Sequence, residues 1–191
     1  MTGRYLLSIT TWGTTALWIA AMLSAAAAAI GVFSVLPELG PVLSEYGGID
    51  PASHGRLAAG LVTEPIFTAT DMAQVLLSTM LVVSVCIHWW KRVGAGHPIA
   101  RWTWTGTVLV AAGCFWYRML MVMPDLNQAM QRYHTAARSG DEAATARAFE
   151  VFGGMHPVAS TLMEITLGLV LLGLGALAVL YTHRTPPEPT R

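Results

Sequence analysis

The chain has 191 residues, of which 54% are hydrophobic and only 12% charged, with eleven basic residues balancing eleven acidic ones and a mean hydropathy of +0.52. An ordinary soluble domain carries about 25% charged residues, so this composition excludes that class and points to a membrane. With no net charge and no long basic run, it offers nothing to a nucleic-acid backbone.

Four apolar stretches, 11–36, 66–90, 102–123 and 158–181, reach the roughly 20 residues that a membrane-spanning helix requires. The expected fold is an all-α integral membrane protein: a bundle of four transmembrane helices with short extracytoplasmic helices, forming one domain over 1–184 and followed by a mobile, proline-rich tail over 185–191. The first stretch also fits a secretory signal, because Arg4 precedes an apolar run and the small residues SAAAAA. The run continues through Ile30, Val32, Phe33 and Val35 to Pro37, however, which is longer than a signal core of about 7 to 15 residues. A retained helix is the better reading, with its alanines allowing close backbone approach. Processing of this segment stays open.

In the first connection, Asp50 and Pro51 form an N-cap with proline at the first helical position, predicting a short helix to about Leu61 that Pro65 closes. The third span is expected to continue past Pro124 and Asp125, with Leu126, Met130 and Tyr133 at helical spacing, until Gly140 stops it. Ser139 and Glu142 read as a capping box, opening a helix through Phe152 that ends at Gly153 and Gly154. Cys86 and Cys114 fall inside spans and read as small buried side chains, with no disulfide framework or thiolate zinc site.

The loops give the orientation. Arg4, Lys91, Arg92, Arg101, Arg184 and Arg191 share one side, where Glu188 is the only acid, so the N- and C-termini are expected in the cytoplasm. Tyr5, Trp12, Trp89, Trp90, Trp102, Trp104 and Tyr181 gather at the same helix ends, as interfacial aromatics do. The expected location is a bacterial inner membrane.

Asp71, Arg118 and Glu164 each interrupt an apolar run six or seven residues from a proline, namely Pro65, Pro124 and Pro157. At about 1.5 Å per residue all three would lie roughly 10 Å inside one face of the bilayer. Such residues mark a functional site by default. Arg118 keeps its charge and needs an anionic partner, for which Glu164 is the depth-matched candidate and Asp71 a second. Two carboxylates against one guanidinium leave one surplus negative charge, to be offset by a proton, a cation or a protonated His156. The competing reading is an inter-helix tie that carries no traffic.

His156 opens the fourth span and is a possible gate or ligand. With Met119, Met123 and Met163 at similar depth it forms a weak metal candidate, since thioethers and imidazole suit monovalent copper. Met72, Met121 and Met155 lie nearby, and flexible packing is the commoner use of such methionines. Haem b would need two histidines at compatible depths, whereas His88 and His156 fall at opposite faces. His97 lies in the basic loop, and His54 and His134 read as solvated loop residues. No nucleotide loop, zincin helix, serine elbow or paired-cysteine motif occurs.

The segments GVFSVLPELGPVL, SHGRLAAGLVTEPIF, MPDLNQAMQRYH and FEVFGGMHPVASTLME together resemble the transmembrane protein 205-like family over about Trp18 to Leu172. The resemblance implies a four-helix integral membrane fold and says little about function. In that family the last helix opens with histidine, glycine, a residue and serine, with asparagine one turn on. Here Pro157 replaces the glycine, the serine falls at Ser160, and Glu164 stands near the asparagine position, so no shared role is carried over.

The leading expectation is a non-enzymatic membrane protein that binds or passes a proton or small cation through Asp71, Arg118, Glu164 and His156. The alternatives are a structural or assembly subunit of a larger membrane complex, or a haem- or copper-associated membrane protein. The expected partners are the bilayer and other membrane subunits, and no resident cofactor is expected.

Overall fold

The computed structural model describes residues 2–93 and 97–182, and the expected mobile tail lies outside them. Five helices account for almost all of this length: α1 (Thr2–Leu39), α2 (His54–Trp90), α3 (Pro98–Tyr117), α4 (Met123–Ser139) and α5 (Glu142–Thr182). A five-residue π turn, Arg118–Val122, joins α3 to α4, so the two form one rod. Four helices, counting that rod as one, are long and apolar enough to cross a membrane. α1 packs along α2, α3 and α4 pack along α5, and α1 also touches α5, while α2 meets α3 over a shorter contact.

α2, the α3–α4 rod and α5 outrun the expected spans chiefly at the end away from the termini, while α1 does so mainly at its start, Thr2. Pro65 and Pro157 do not close helices. Each sits inside a continuous helix, and the Gly153–Gly154 pair lies within α5 as well. An internal proline removes one backbone hydrogen bond and crowds the preceding turn. Here packing on both sides holds the helix together: Phe152, Met155, Ala159 and Leu162 of α5 cluster with Val122, Met123 and Leu126. The third proline has a visible effect. In a regular α-helix the Pro124 ring would collide with the carbonyl four residues back, and the π turn immediately before it relieves that collision.

Two cap expectations hold and one is corrected. Asp50 accepts from the Ala52 N–H at 3.1 Å and Pro51 follows it, opening a single 3-10 turn (Pro51–Ser53) that leads directly into α2. Gly140 ends α4 in the left-handed region at φ 77°. The cap of α5 is Asp141, which accepts from the Ala144 N–H at 2.9 Å, whereas the Ser139 hydroxyl donates backward to the Ala136 carbonyl. A carboxylate one residue from the helix start wins over a hydroxyl still held in the previous helix.

The segment between α1 and α2 is anchored to the α4–α5 turn. Tyr46 is buried against Leu57 and Ala137, its hydroxyl accepts from Arg138 at 2.7 Å, and the Gly48 N–H donates to the Ala137 carbonyl at 2.9 Å. His54 is not solvated as expected. It is buried, with Nδ1 accepting from the Leu43 N–H at 3.0 Å, which leaves Nε2–H to donate to the Ile49 carbonyl at 3.3 Å. His134 is half-buried beside the rings of Tyr46 and Tyr133. The two cysteines also differ from expectation, Cys86 being exposed and Cys114 half-buried, because both fall off the inward faces of their helices.

Close backbone approach at this end needs glycine. A Cβ at Gly55 would stand 2.5 Å from Pro37 Cα, and one at Gly48 would stand 2.9 Å from the Ala137 carbonyl oxygen and 3.0 Å from Thr145 Oγ1. Gly48→Val is expected to part the 40–50 segment from the α4–α5 turn. Tyr46→Ala is expected to cost about 3 kcal/mol through the lost buried ring. Limited proteolysis between α1 and α2 checks the first, and thermal unfolding in mild detergent the second.

Candidate functional site

The buried face of α2 follows a strict three-four spacing: Asp71, Gln74, Ser78, Leu81, Val85 and His88. Four of these six are polar or ionisable. On a helix this spacing puts them on one face, so a polar row points inward while Met72, Leu76, Met80 and Val83 point outward.

At the Asp71 end of this row Arg118, the first residue of the π turn, forms a two-pronged ion pair with Asp71. Nη1 lies 2.8 Å from Oδ1, and Nη2 lies 3.1 Å from Oδ2. Both side chains are buried. The planar fork matches a carboxylate in this geometry, and the matched charges compensate each other where water is absent. Gln74 Nε2 donates to Asp71 Oδ1 at 3.3 Å, and Gln74 Oε1 accepts from the Trp18 indole at 3.0 Å. A chain of polar contacts thus runs from α1 through α2 to the π turn. The Trp18 ring meets Phe115 of α3 edge-on at 6.3 Å, and the Met119 sulfur lies 3.9 Å from Arg118 Nη1.

Glu164 is not part of this arrangement. It is exposed on α5 and makes no ion pair among the described residues. The level expected from the proline spacing brings Asp71 to Arg118 but says nothing about rotation around the helix axis. Thr166 and Val170 occupy the inward face of α5, which turns position 164 away. The pair therefore has one acid for one guanidinium, and the expected surplus charge is absent from it.

His156 is also exposed, with its ring stacked on Phe152 at 5.5 Å and 17° between planes, so it does not stand over the pair. The methionines scatter. Met119 lies against Arg118, Met123 and Met155 join the apolar cluster around Phe152, Met163 is half-buried on α5, and Met72 and Met121 are exposed. Among the described residues no group of three or more His, Cys, Asp or Glu side chains is placed to hold a metal ion.

At the end of the row nearer the termini His88 is fully enclosed. Its Nδ1 donates to the Ser84 carbonyl at 2.7 Å, which leaves Nε2 to accept from the Tyr181 hydroxyl, also at 2.7 Å, and the ring packs on Trp104 at 4.6 Å between centroids. With both ring nitrogens engaged and His156 on the far surface, these two histidines do not form a haem-ligand pair. Arg101 lies over the Trp89 ring at 3.7 Å, and Trp89 donates to Thr105 at 2.8 Å. Among the described residues three buried donors lack an acceptor, Arg101 Nε, Trp104 Nε1 and Arg118 Nε.

Trp18, Gln74 and Tyr181 did not emerge from the sequence as site residues. The signal for Gln74 is its place three residues after Asp71 and four before Ser78, on one helix face. Trp18 and Tyr181 follow from their partners on other helices, which spacing within one helix does not reveal.

Gln74→Leu removes the donor to Asp71 and the acceptor of Trp18, and is expected to cost about 1–3 kcal/mol. Glu164→Gln in the same protein is expected to change stability by less than about 0.5 kcal/mol. Unfolding of both variants in detergent checks the contrast, and an equal loss in the two would place Glu164 in the ion-pair network after all. No family model, curated protein or solved structure matches this chain, so the four-helix architecture and its Asp71–Arg118 core rest on its own residues.

Proposed function

We propose that this chain is a non-enzymatic integral membrane protein of the structural kind, a four-helix subunit that takes its place in a larger membrane assembly with both termini on the cytoplasmic side. The observation that carries this reading is the one-to-one closure of the Asp71–Arg118 pair. Both charges are buried and matched, and Gln74 and Trp18 extend the contact to α1. A fully matched pair locks helices in one arrangement, whereas an exchanging site needs a group whose charge is left over. The orientation is supported by Lys91, Arg92 and Arg101 at the end that holds the termini, and by the exposed rings of Tyr5, Trp90 and Trp102 there.

A second reading, passage of a proton, draws on a different observation. The polar row from Asp71 to His88 runs along the inward face of α2, and the buried donors Arg101 Nε, Trp104 Nε1 and Arg118 Nε lack acceptors, as they would where water enters. Groups of this kind are the usual parts of a proton relay.

One pair of substitutions separates the two. Asp71→Leu alone strands a buried guanidinium, and Arg118→Met alone strands a carboxylate, so each is expected to cost about 3–5 kcal/mol. The double variant should recover most of the wild-type stability, because two apolar side chains of similar size replace a neutral pair. Under the structural reading, vesicles reconstituted with wild type or the double variant show the same proton leak. Proton flux that is present in wild type and vanishes in the stable double variant would establish the relay instead.

A further inference from the structure

The end of α2 and the start of α3 gather cations without giving them an anion. The Trp89 carbonyl accepts from the Arg92 N–H at 3.3 Å and from Arg101 Nη2 at 3.4 Å, so two arginines converge on one oxygen. Lys91 precedes Arg92, and both are exposed. The Arg101 guanidinium lies 3.7 Å over the Trp89 ring, whose indole is itself held by Thr105, and its buried Nε has no acceptor. Among the described residues the one ion pair is Asp71–Arg118, so none of these three cations is neutralised. The nearest described carboxylates, Asp71 and Glu164, stand about 25 Å away along their helices.

Arg92 also holds a costly backbone position. At φ 50° it is the only non-glycine among the described residues in the left-handed region, which Gly140 adopts at the end of α4. The Val93 N–H reaches back to the His88 carbonyl at 3.0 Å, closing α2 by the turn in which glycine is the usual residue. A side chain in that conformation is strained, and such strain gathers where a site requires it. Glycine would end this helix at less cost. Arginine instead sets a second positive fork beside Arg101.

The surroundings say which anion is missing. Trp90 beside Lys91 is 86% exposed, and Ile99 and Trp102 on either side of Arg101 are 82% and 63% exposed. A free phosphate or an acidic peptide would leave these apolar side chains uncovered, whereas an anion that carries hydrocarbon chains covers them. Guanidinium forks match phosphate oxygens, and basic clusters beside a membrane helix attract anionic headgroups. We propose that this turn binds the phosphate of an anionic phospholipid, with Arg92 and Arg101 on the phosphate oxygens, Lys91 adding charge, and Trp90, Ile99 and Trp102 against the acyl chains. This rests on the membrane reading above and names the lipid that the bundle selects at the end nearer its termini.

The test uses the full chain, first in native membranes and then in an uncharged detergent. Carbonate washing comes first, because a chain washed off the membrane overturns both the membrane reading and the lipid site. A chain that stays is purified and titrated with short-chain phosphatidylglycerol, short-chain phosphatidylcholine and inorganic phosphate, and binding is read from the rise in unfolding temperature. Phosphatidylglycerol should raise it at concentrations where the other two do not. Arg92→Gly should unfold no lower than wild type without lipid, since glycine relieves the backbone, yet bind phosphatidylglycerol about fivefold more weakly, the share of one basic residue at a charged surface. Arg101→Lys keeps the charge but loses the planar fork, and should weaken binding by a similar factor. Arg147→Gln removes one exposed charge from the opposite end and should bind as wild type does. An equal response to phosphatidylcholine or to inorganic phosphate, wild-type affinity in both Arg92→Gly and Arg101→Lys, or an equal loss in Arg147→Gln overturns the lipid site and leaves the membrane reading standing.

Discussion

The ion pair between Asp71 and Arg118 is the constraint on which the bundle depends. The helices form two closely packed groups, α1 with α2 and α3–α4 with α5, and α2 meets α3 over a comparatively short contact. The pair crosses that seam, joining the middle of α2 to the start of the π turn. Charges without water tolerate few alternative geometries, so a helix that slides or rotates by one residue loses both prongs of the contact at once. Trp18 adds the third member, because one indole ring both donates to Gln74 and packs on Phe115. The apolar core around Trp18, Leu81, Trp104 and Val170 gives the groups their shared mass, and the polar network fixes their register.

The same logic runs down the interior. Hydroxyls of Thr11, Thr15, Thr107 and Thr166 turn back to carbonyls of their own helices, so buried polarity is satisfied locally and leaves the helix surfaces free to pack. At the end nearer the termini His88 and Tyr181 repeat the cross-helix pattern, linking α2 to α5. The bundle is therefore polar at chosen points within, while its long helices carry large exposed apolar side chains without.

Helix identity was legible in the sequence because long apolar runs leave few alternatives, and Asp71 and Arg118 were legible because a charge in such a run is conspicuous. Their distance from Pro65 and Pro124 gave the shared level correctly. Level alone was not enough for Glu164. Its rotation is set by which residues of α5 face the core, and Thr166, Val170 and Gly173 define that face only once the neighbours are in place. Pro65 and Pro157 were misread as boundaries for a related reason. The local cost of proline is visible in the sequence, while the packing that offsets it comes from helices far along the chain. His54 shows the same limit, since its partners Leu43 and Ile49 belong to a loop whose path no periodicity describes.

The π turn has a consequence for how this rod tolerates change. From Trp104 the inward positions advance through Val108, Ala111, Phe115 and Arg118 in alternating steps of four and three, and then take two steps of four, to Val122 and Leu126. The extra residue keeps Leu126 inside and Asp125 outside. An uninterrupted α-helix of the same sequence would swing the outer half by about 100° and carry the Asp125 carboxylate toward the apolar cluster. Phase, more than residue identity, is thus what this stretch must keep. A single-residue deletion within the turn would therefore leave a regular α-helix with Leu126 still inward, losing only the relief of the Pro124 clash, whereas an insertion would re-phase one end of the molecule against the other.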